Sequence, residues 1–265
     1  MSGVEVQVVT SGRAGVLRAF LRAWNASRSA GIPLHVEARS DDFDKATRDA
    51  EFVNYSTVHN YIAEDAWKWA RLVFNKWPEH KQGWATKVRI MLEYARRAEK
   101  QDVWIWLDHD CEVRGDLRGL AEEFLASGAD MGAPLYSSMG TGRYARTRAA
   151  QNGLFLFRRS AADLIERWWN AMVEGNMPND ESGFVLAFGG GGFGEAQVRQ
   201  AERKLWDVMK CEKRWYASCD CFGEIREKRG GLRRATARLL ADETAAVRHW
   251  CANVGKSQFL SLCGV

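Results

Sequence analysis

The sequence predicts an α/β fold with a mostly parallel central sheet flanked by helices, and three observations support this prediction. Short β-branched and aromatic runs alternate along the chain with segments whose apolar residues recur at helical spacing. Of the 265 residues, 46% are hydrophobic, which suffices for a sizeable core. The length suits one α/β domain. We therefore expect a single domain over 1–265, with one half at 1–115 and the other at 116–265.

The first part of the chain alternates strand and helix patterns. Val4–Gly12 alternates valines and stops at Ser-Gly, so it predicts a first strand. Gly15–Ser27 has apolar residues at helical spacing. Ile32–Asp44 predicts a second strand that ends in an acidic loop. Together these segments predict the start of a parallel sheet, because parallel strands need a crossover between them.

Two helices and a buried strand follow in the prediction. Asp65–Trp77 is rich in aromatic residues and predicts a helix, and Gly83–Lys100 predicts another. The apolar stripe of the second helix, at positions i, i+3, i+4 and i+7, consists of Val88, Met91, Leu92 and Ala95. Val103–Val113, "VWIWLDHDCEV", predicts a buried strand. Its aromatic side chains, with those of Trp168 and Trp169, are expected in the core.

The later part of the chain is less regular. Ala133–Gln151 is expected to form a loop, Asn152–Ser160 a strand and Ala161–Gly175 a helix. Gly189–Gly192 and Arg226–Arg238 are expected to be mobile or solvated.

Charge and hydropathy narrow the class of protein. The net charge of +4 suits an anionic ligand but falls short of a dedicated nucleic-acid binder. There is no signal-like start and no run of about 20 apolar residues. The six cysteines show no paired metal-ligand spacing. We expect a soluble, cytoplasmic protein without a membrane span.

Asp108 and Asp110 are the first candidate site residues, because they follow the predicted buried strand. Side chains at i and i+2 of an extended segment point the same way, so both carboxylates would converge while His109 faces oppositely. Two hard oxygen ligands suit Mg²⁺ or Mn²⁺, with a phosphate group completing the shell. The alternative is that the two aspartates only cap a turn.

Five segments, taken in order, resemble one enzyme family. They are YSTVHNY (55–61), WATKVRIMLEYARRAEKQDVWIWLDHDCEV (84–113), NGLFLFRRSAADLIERWW (152–169), NDESGFVLAF (179–188) and RHWCANVGKSQF (248–259). This series is similar to that of the galactosyltransferase-like retaining glycosyltransferases, which include yeast α-galactosyl- and mannosyltransferases and plant xyloglucan α-xylosyltransferases. The resemblance implies a GT-A fold, a nucleotide-diphosphate sugar as donor, and Mn²⁺ or Mg²⁺.

The same resemblance implies roles for the charged residues. Asp108, Asp110 and His249 would bind the metal, and Lys256 would contact the diphosphate as the leaving group departs. On residue type alone, His249 reads as a surface or core group and Lys256 as a solvated lysine. Lys87 would contact the sugar nucleotide, with simple solvation as its alternative.

The donor pocket is expected at the ends of two strands. Thr10 and Ser11 end the first strand, where this fold places the nucleoside, although an ordinary turn explains them nearly as well. Asn152 and Gly153 would line the donor sugar, because an amide bonds hydroxyls and glycine lets the backbone approach.

The catalytic carboxylate is expected in the segment NDESGFVLAF. Asp180 is the first choice for the group beside the anomeric carbon, and Glu181 the second; either could instead cap the following helix. Where the family has the segment Asp-Asp-Gln-Ser, this chain has Asn179, Asp180, Glu181 and Ser182. Asn179 thus replaces the first aspartate and Glu181 replaces the glutamine. We expect no membrane anchor of the kind usual in Golgi members, and this expectation favours a bacterial or viral setting.

The resulting hypothesis is a retaining, metal-dependent glycosyltransferase that uses a UDP-sugar. Its acceptor would be a hydroxylated base in DNA, flipped out of the stack, or a cytoplasmic glycan or glycolipid. Basic stretches at Arg143–Arg148 and Arg226–Arg238 motivate the DNA acceptor. The alternatives are a metal-dependent phosphohydrolase or nucleotidyltransferase and a non-catalytic nucleic-acid-binding protein.

Overall fold

The fold is taken from a computed structural model of the chain. It describes residues 5–48, 57–60, 62–98, 102–137, 148–150, 153–188, 205–211, 213–218, 236–250 and 252–265. Asn152, the glycine run 189–192 and most of both basic stretches lie outside these residues.

Strands and helices alternate through the first half of the chain, and the strands after β4 have only three or four residues. The strands are β1 Val6–Ser11, β2 Leu34–Glu37, β3 Thr57–Asn60, β4 Val103–Asp108, β5 Cys111–Val113, β6 Met131–Ala133, β7 Leu135–Ser137, β8 Arg148–Ala150, β9 Leu154–Phe157, β10 Leu205–Asp207, β11 Tyr216–Ser218 and β12 Val247–His249. The helices are α1 Ala14–Ala26, α2 Ser40–Ala46, α3 Ile62–Val73, α4 Glu79–Arg97, α5 Leu117–Ala126, α6 Ala162–Glu174, α7 Asp180–Phe188 and α8 Ala252–Leu262.

Within the described ranges, a seven-stranded sheet in the order β10-β6-β9-β4-β1-β2-β3 forms the centre. β1 pairs in parallel with β2 and β4, and β2 pairs in parallel with β3. β9 runs antiparallel to both β4 and β6. The sheet is therefore mostly parallel and takes strands from both predicted halves. The predicted α/β class is confirmed.

Side chains alternate across the central strands, so the core has two sides. Val9, Trp104 and Trp106 face a cluster that includes the apolar faces of α4, α6 and α7. Val8, Ile105 and Leu107 face α1 and α5 on the other side of the sheet. This arrangement explains the continuous apolar run of β4, because a strand covered on both faces buries every side chain. Trp168 and Trp169 are also buried in the core, as predicted.

A three-stranded sheet, β11-β12-β5, adjoins the end of β4. β12 lies in its middle, parallel to β11 and antiparallel to β5. The chain leaves the large sheet at Asp108 and enters the small sheet at Cys111. The predicted extended conformation of Asp108–Asp110 is therefore wrong: His109 and Asp110 form a turn, because the two flanking strands belong to different sheets.

Two other segments differ from the prediction. The acidic stretch after β2 is the helix α2, in which Asp41 and Asp42 occupy the first turn, where the helix dipole favours negative charge. The predicted loop Ala133–Gln151 begins and ends with strands, because β7 and β8 pair antiparallel. In the described part of the chain, no helix is long and apolar enough to cross a membrane.

Candidate functional site

The two aspartates lie at the carboxyl edge of the large sheet, where ligands of open α/β sheets bind. Ser11 ends β1 and is in register with Asp108, which ends β4. Asp110 follows in the turn and is buried. The ring of His109 packs against Gly12. Burial lowers the pKa of His109, although the Asp110 carboxylate opposes this effect.

His249 joins the two carboxylates from β12, 139 positions after Asp110 in the sequence. Its Nε2 lies 3.2 Å from Asp110 Oδ1 and 4.0 Å from Asp108 Oδ2. The Trp250 backbone N–H donates to the Asp110 carbonyl over 2.9 Å, which fixes the end of β12 against the turn. The three side chains predicted to bind a metal therefore converge.

Lys87 lies between Asp108 and Asp180. Its Nζ is 3.0 and 3.1 Å from the two carboxylate oxygens of Asp108 and 2.8 Å from Asp180 Oδ2. Burial alone would lower the pKa of the Lys87 ammonium, but the two carboxylates outweigh it and raise that pKa above its ordinary value. Lys87 is thus a charged, 7% exposed link between the turn and α7.

Asp180 begins α7 and is held by several groups. Trp168 Nε1 donates to its carbonyl over 2.9 Å, and the Glu181 N–H donates to its Oδ1 over 3.1 Å. Asn179 caps the helix, because its Oδ1 accepts from the Ser182 N–H at 2.7 Å. Asp180 itself is buried, whereas Glu181 is half-buried.

Lys256 reaches the cluster from α8. Its Nζ lies 3.2 Å from Asp110 Oδ2, and its side chain is 36% exposed. Burial alone would raise the pKa of Asp110, but His249 and Lys256 help to hold that pKa below its ordinary value. Gly255 permits this approach, since a Cβ there would lie 2.8 Å from the Trp250 carbonyl carbon.

Gly153 stands beside His249, at the start of β9. Its carbonyl accepts from the Asp108 N–H at 3.0 Å and from the Cys111 thiol at 3.2 Å. A Cβ at Gly153 would lie 2.5 Å from His249 Nδ1, so only glycine leaves room for this imidazole.

Cys111 is a further group close to the metal-binding candidates. Ligand atoms of Asp110, Cys111 and His249 lie within 4.8 Å of one another. Burial raises the pKa of the Cys111 thiol well above its ordinary value. Because a thiol must lose its proton to bind a metal well, Asp108 is a better third ligand than Cys111.

Thr10 and Ser11 differ in what they offer a nucleoside. Thr10 is fully buried, and its Oγ1 has no hydrogen-bond partner among the described residues. Ser11 is half-buried next to Asp108. Ser11 is therefore the more accessible member of the predicted pair.

Sequence reasoning missed two groups that contact the predicted site. Trp106 Nε1 donates to Asp108 Oδ1 over 2.7 Å, and Tyr216 Oη lies 2.8 Å from His249 Nδ1. The position of Trp106, two residues before Asp108 on a strand, was a usable signal. Tyr216 lies in a three-residue strand within an irregular region, and no local pattern relates it to His249.

Comparison with known proteins supports the fold. No protein-family model matches the sequence, and no curated protein matches it either. The galactosyltransferase LgtC, solved with donor and acceptor sugar analogues, is 14% identical, with a TM-score of 0.59 over 97% of this chain and 95% of that chain. Mouse xyloside xylosyltransferase 1 is 13% identical, with a TM-score of 0.62 over 96% of this chain and 99% of that chain.

A third neighbour gives the same result. The glycosyltransferase GlyE of Streptococcus pneumoniae TIGR4 is 10% identical, with a TM-score of 0.56 over 99% of this chain and 61% of that chain. These similarities span nearly the whole chain, and they confirm the predicted fold. The chain shares the fold of these solved glycosyltransferases, which is the predicted GT-A fold.

Proposed function

We propose that the protein is a metal-dependent glycosyltransferase that moves a sugar from a nucleotide-diphosphate sugar to a hydroxyl group. One observation carries the proposal: two carboxylates, an imidazole and two ammonium groups meet at the carboxyl edge of a GT-A sheet. This is the place where the fold favours ligand binding. The set combines ligands for a cation with cations for a diphosphate.

The residues fit a divalent metal. Asp108 and Asp110 supply hard oxygen atoms, and His249 Nε2 lies close to one oxygen of each. Carboxylates favour Mg²⁺ or Mn²⁺, and the imidazole favours Mn²⁺ of the two. A divalent ion held here would neutralise charge on the diphosphate as it leaves. Lys87 pairs with Asp108 and Lys256 pairs with Asp110, so each carboxylate already lies beside a positive charge. The site therefore balances negative charge with nearby cations.

Lys256 is the residue best suited to the diphosphate. Its side chain is partly exposed and it ends at Asp110 Oδ2, 3.2 Å away. An ammonium group on a flexible stem can turn from a carboxylate to a nearby phosphate and neutralise the leaving group. Ser11, Thr10 and Asn152 are proposed for the nucleoside and the donor sugar, with Gly153 beside them.

Asp180 is proposed as the carboxylate that faces the anomeric carbon. Lys87 Nζ lies 2.8 Å from its Oδ2 and holds the side chain in place, and a fixed negative charge would stabilise the positive charge that develops on the sugar. Glu181, one residue later, is the second candidate. Retention of configuration is part of the proposal and derives from the sequence resemblance.

The proposed donor is a UDP-sugar, and the preferred acceptor is a glycan hydroxyl. The neighbour LgtC was solved with an acceptor sugar analogue, and a second neighbour acts on xylosides by its name. A hydroxylated base in DNA is the other acceptor, resting on the two basic stretches.

The test combines binding and turnover. Thermal stability is measured with nucleoside diphosphates and UDP-sugars, each with and without Mn²⁺, because a ligand that binds the native state raises its stability. Release of UDP is then followed without acceptor, with simple glycosides, and with DNA carrying hydroxymethylated bases. We expect Mn²⁺-dependent stabilisation by one nucleotide and UDP release that rises with glycosides.

Other outcomes identify the rival functions. Phosphate or pyrophosphate release from nucleotides without sugar transfer would indicate a phosphohydrolase or nucleotidyltransferase. Stabilisation by plain DNA alone, unaffected by any nucleotide or by Mn²⁺, would indicate a nucleic-acid-binding protein.

A further inference from the structure

Tyr216 contacts the imidazole of the proposed metal ligand on the side away from the carboxylates. Its hydroxyl lies 2.8 Å from His249 Nδ1, while His249 Nε2 points to Asp110, 3.2 Å away. Tyr216 and His249 are 1% and 7% exposed, so the protein sets the geometry of this contact. The two residues belong to the paired strands β11 and β12.

We infer that Tyr216 is a positioning residue for the metal centre, which fixes the orientation of His249 and accepts from its Nδ1 when a metal is bound. The inference rests on the proposed function. A neutral imidazole carries one proton, and a metal bound at Nε2 requires that proton on Nδ1. Nδ1 then donates to the Tyr216 hydroxyl oxygen, which leaves the Nε2 lone pair directed at the carboxylates.

A hydroxyl is suited to this position because it can accept as well as donate. Without a metal, Nε2 can carry a proton and donate to Asp110, and the tyrosine hydroxyl can then donate to Nδ1. When Nε2 becomes a ligand, the hydroxyl changes from donor to acceptor without moving. A backbone carbonyl at this place could only accept, so it would favour a single state.

Gly153 is part of the same arrangement. A Cβ at this position would lie 2.5 Å from His249 Nδ1 and 2.8 Å from the Tyr216 hydroxyl. Any side chain at 153 would therefore displace the contact between the two residues. This gives Gly153 a reason to be glycine that is separate from its proposed contact with the donor sugar.

The first experiment removes only the hydroxyl, with Tyr216→Phe. Mn²⁺ affinity is measured by electron paramagnetic resonance, with Mn²⁺ alone and with Mn²⁺ plus UDP. We expect the affinity to fall about 10- to 100-fold, the usual effect of losing an outer partner of a metal ligand. The control is Tyr94→Phe, which removes another buried hydroxyl, bonded to Glu37 over 2.6 Å, and should keep wild-type affinity.

The outcomes separate the two proposals. If the wild type binds Mn²⁺ and Tyr216→Phe binds it equally well, the role of Tyr216 is refuted and the proposed function stands. If the wild type binds no Mn²⁺ with or without UDP, the metal site of the proposed function fails, and this inference fails with it.

A second measurement needs no folded Tyr216 variant. Long-range ¹H–¹⁵N spectra of the wild type with Mg²⁺ and UDP report which imidazole nitrogen carries the proton, and His249→Gln identifies the signal. We expect the proton on Nδ1 of His249. A proton on Nε2 in the metal-loaded protein would overturn the inference.

Discussion

The carboxylates of Asp108 and Asp110 are held by different regions of the molecule. Asp108 is held by residues of the large sheet and the helix before it, Trp106 and Lys87. Asp110 is held by β12 and α8, through His249 and Lys256. One half of the site is thus continuous with the core, whereas the other half forms only when a distant segment docks. A substitution should therefore act differently on the two sides.

The largest effect is expected when Asp110 loses its charge. Asp110→Asn removes one proposed metal ligand and leaves His249 and Lys256 without the carboxylate that both contact. We expect sugar transfer to fall by more than about 100-fold, because even outer partners of a metal ligand are worth about 10- to 100-fold. The measurement is UDP release at saturating Mn²⁺. Asp116→Asn, at the cap of α5, is the matched control and should keep wild-type turnover.

Lys87→Met tests the part of the site that is continuous with the core. The variant leaves Asp108 and Asp180 without their common cation, and breaking a buried pair costs about 3–5 kcal/mol of unfolding free energy. Urea unfolding checks this value. Lys81→Met, on the same helix, loses a cation–π contact with Trp77 and should lose less than about 1 kcal/mol. Equal destabilisation of the two variants would contradict the proposed link.

Trp106→Phe removes the hydrogen bond that the Trp106 indole donates to Asp108. The smaller phenyl ring keeps an apolar aromatic group in the core, so the expected result is a loss of Mn²⁺ affinity of about 10-fold, with modest destabilisation. Trp104→Phe on the same strand is the control, because Trp104 Nε1 has no hydrogen-bond partner among the described residues. Retained Mn²⁺ affinity in Trp106→Phe would show that Asp108 needs no such support.

The smallest effect is expected from the contact that ties α8 to α1. Arg22 Nη1 donates to the carbonyls of Cys263 and Gly264, each at 2.6 Å. Arg22→Ala should lower Tm by about 2–4 °C, with a smaller loss of Mn²⁺ affinity than Trp106→Phe. Calorimetry and the same metal titration test both values. Wild-type Tm and a total loss of Mn²⁺ binding would contradict this reading.

The same division explains what the sequence could predict. Trp106 and Asp108 lie on one strand, and Lys87 lies on the helix before it, so periodicity and spacing locate them. The link from Lys87 to Asp180 spans 93 positions in the sequence, and it depends on how α7 packs against α4. Periodicity describes one element at a time, and the family resemblance implied only a contact of Lys87 with the sugar nucleotide, so the buried bridge was not predicted.

The error at α2 has a local cause. Ser40–Ala46 reads as an acidic loop, but its aspartates occupy the first turn, and Ala46 is buried. Acidic residues at a helix start are a known signal. By contrast, the three-residue strands β11 and β12 are too short for a period of two to be recognised, so Tyr216 could not be placed beside His249 from sequence.

β12 is the middle strand of the small sheet, so this sheet can fold only after β12 has been synthesised. β5 and β11 both pair with β12, and in the small sheet they do not pair with each other. Until residues 247–249 leave the ribosome, β5 and β11 present unpaired backbone groups, which are sites for mispairing. The small sheet must then close in one late, long-range step, and such steps are slow. A released chain that ends before Val247 should therefore bind chaperones more strongly than the released full chain.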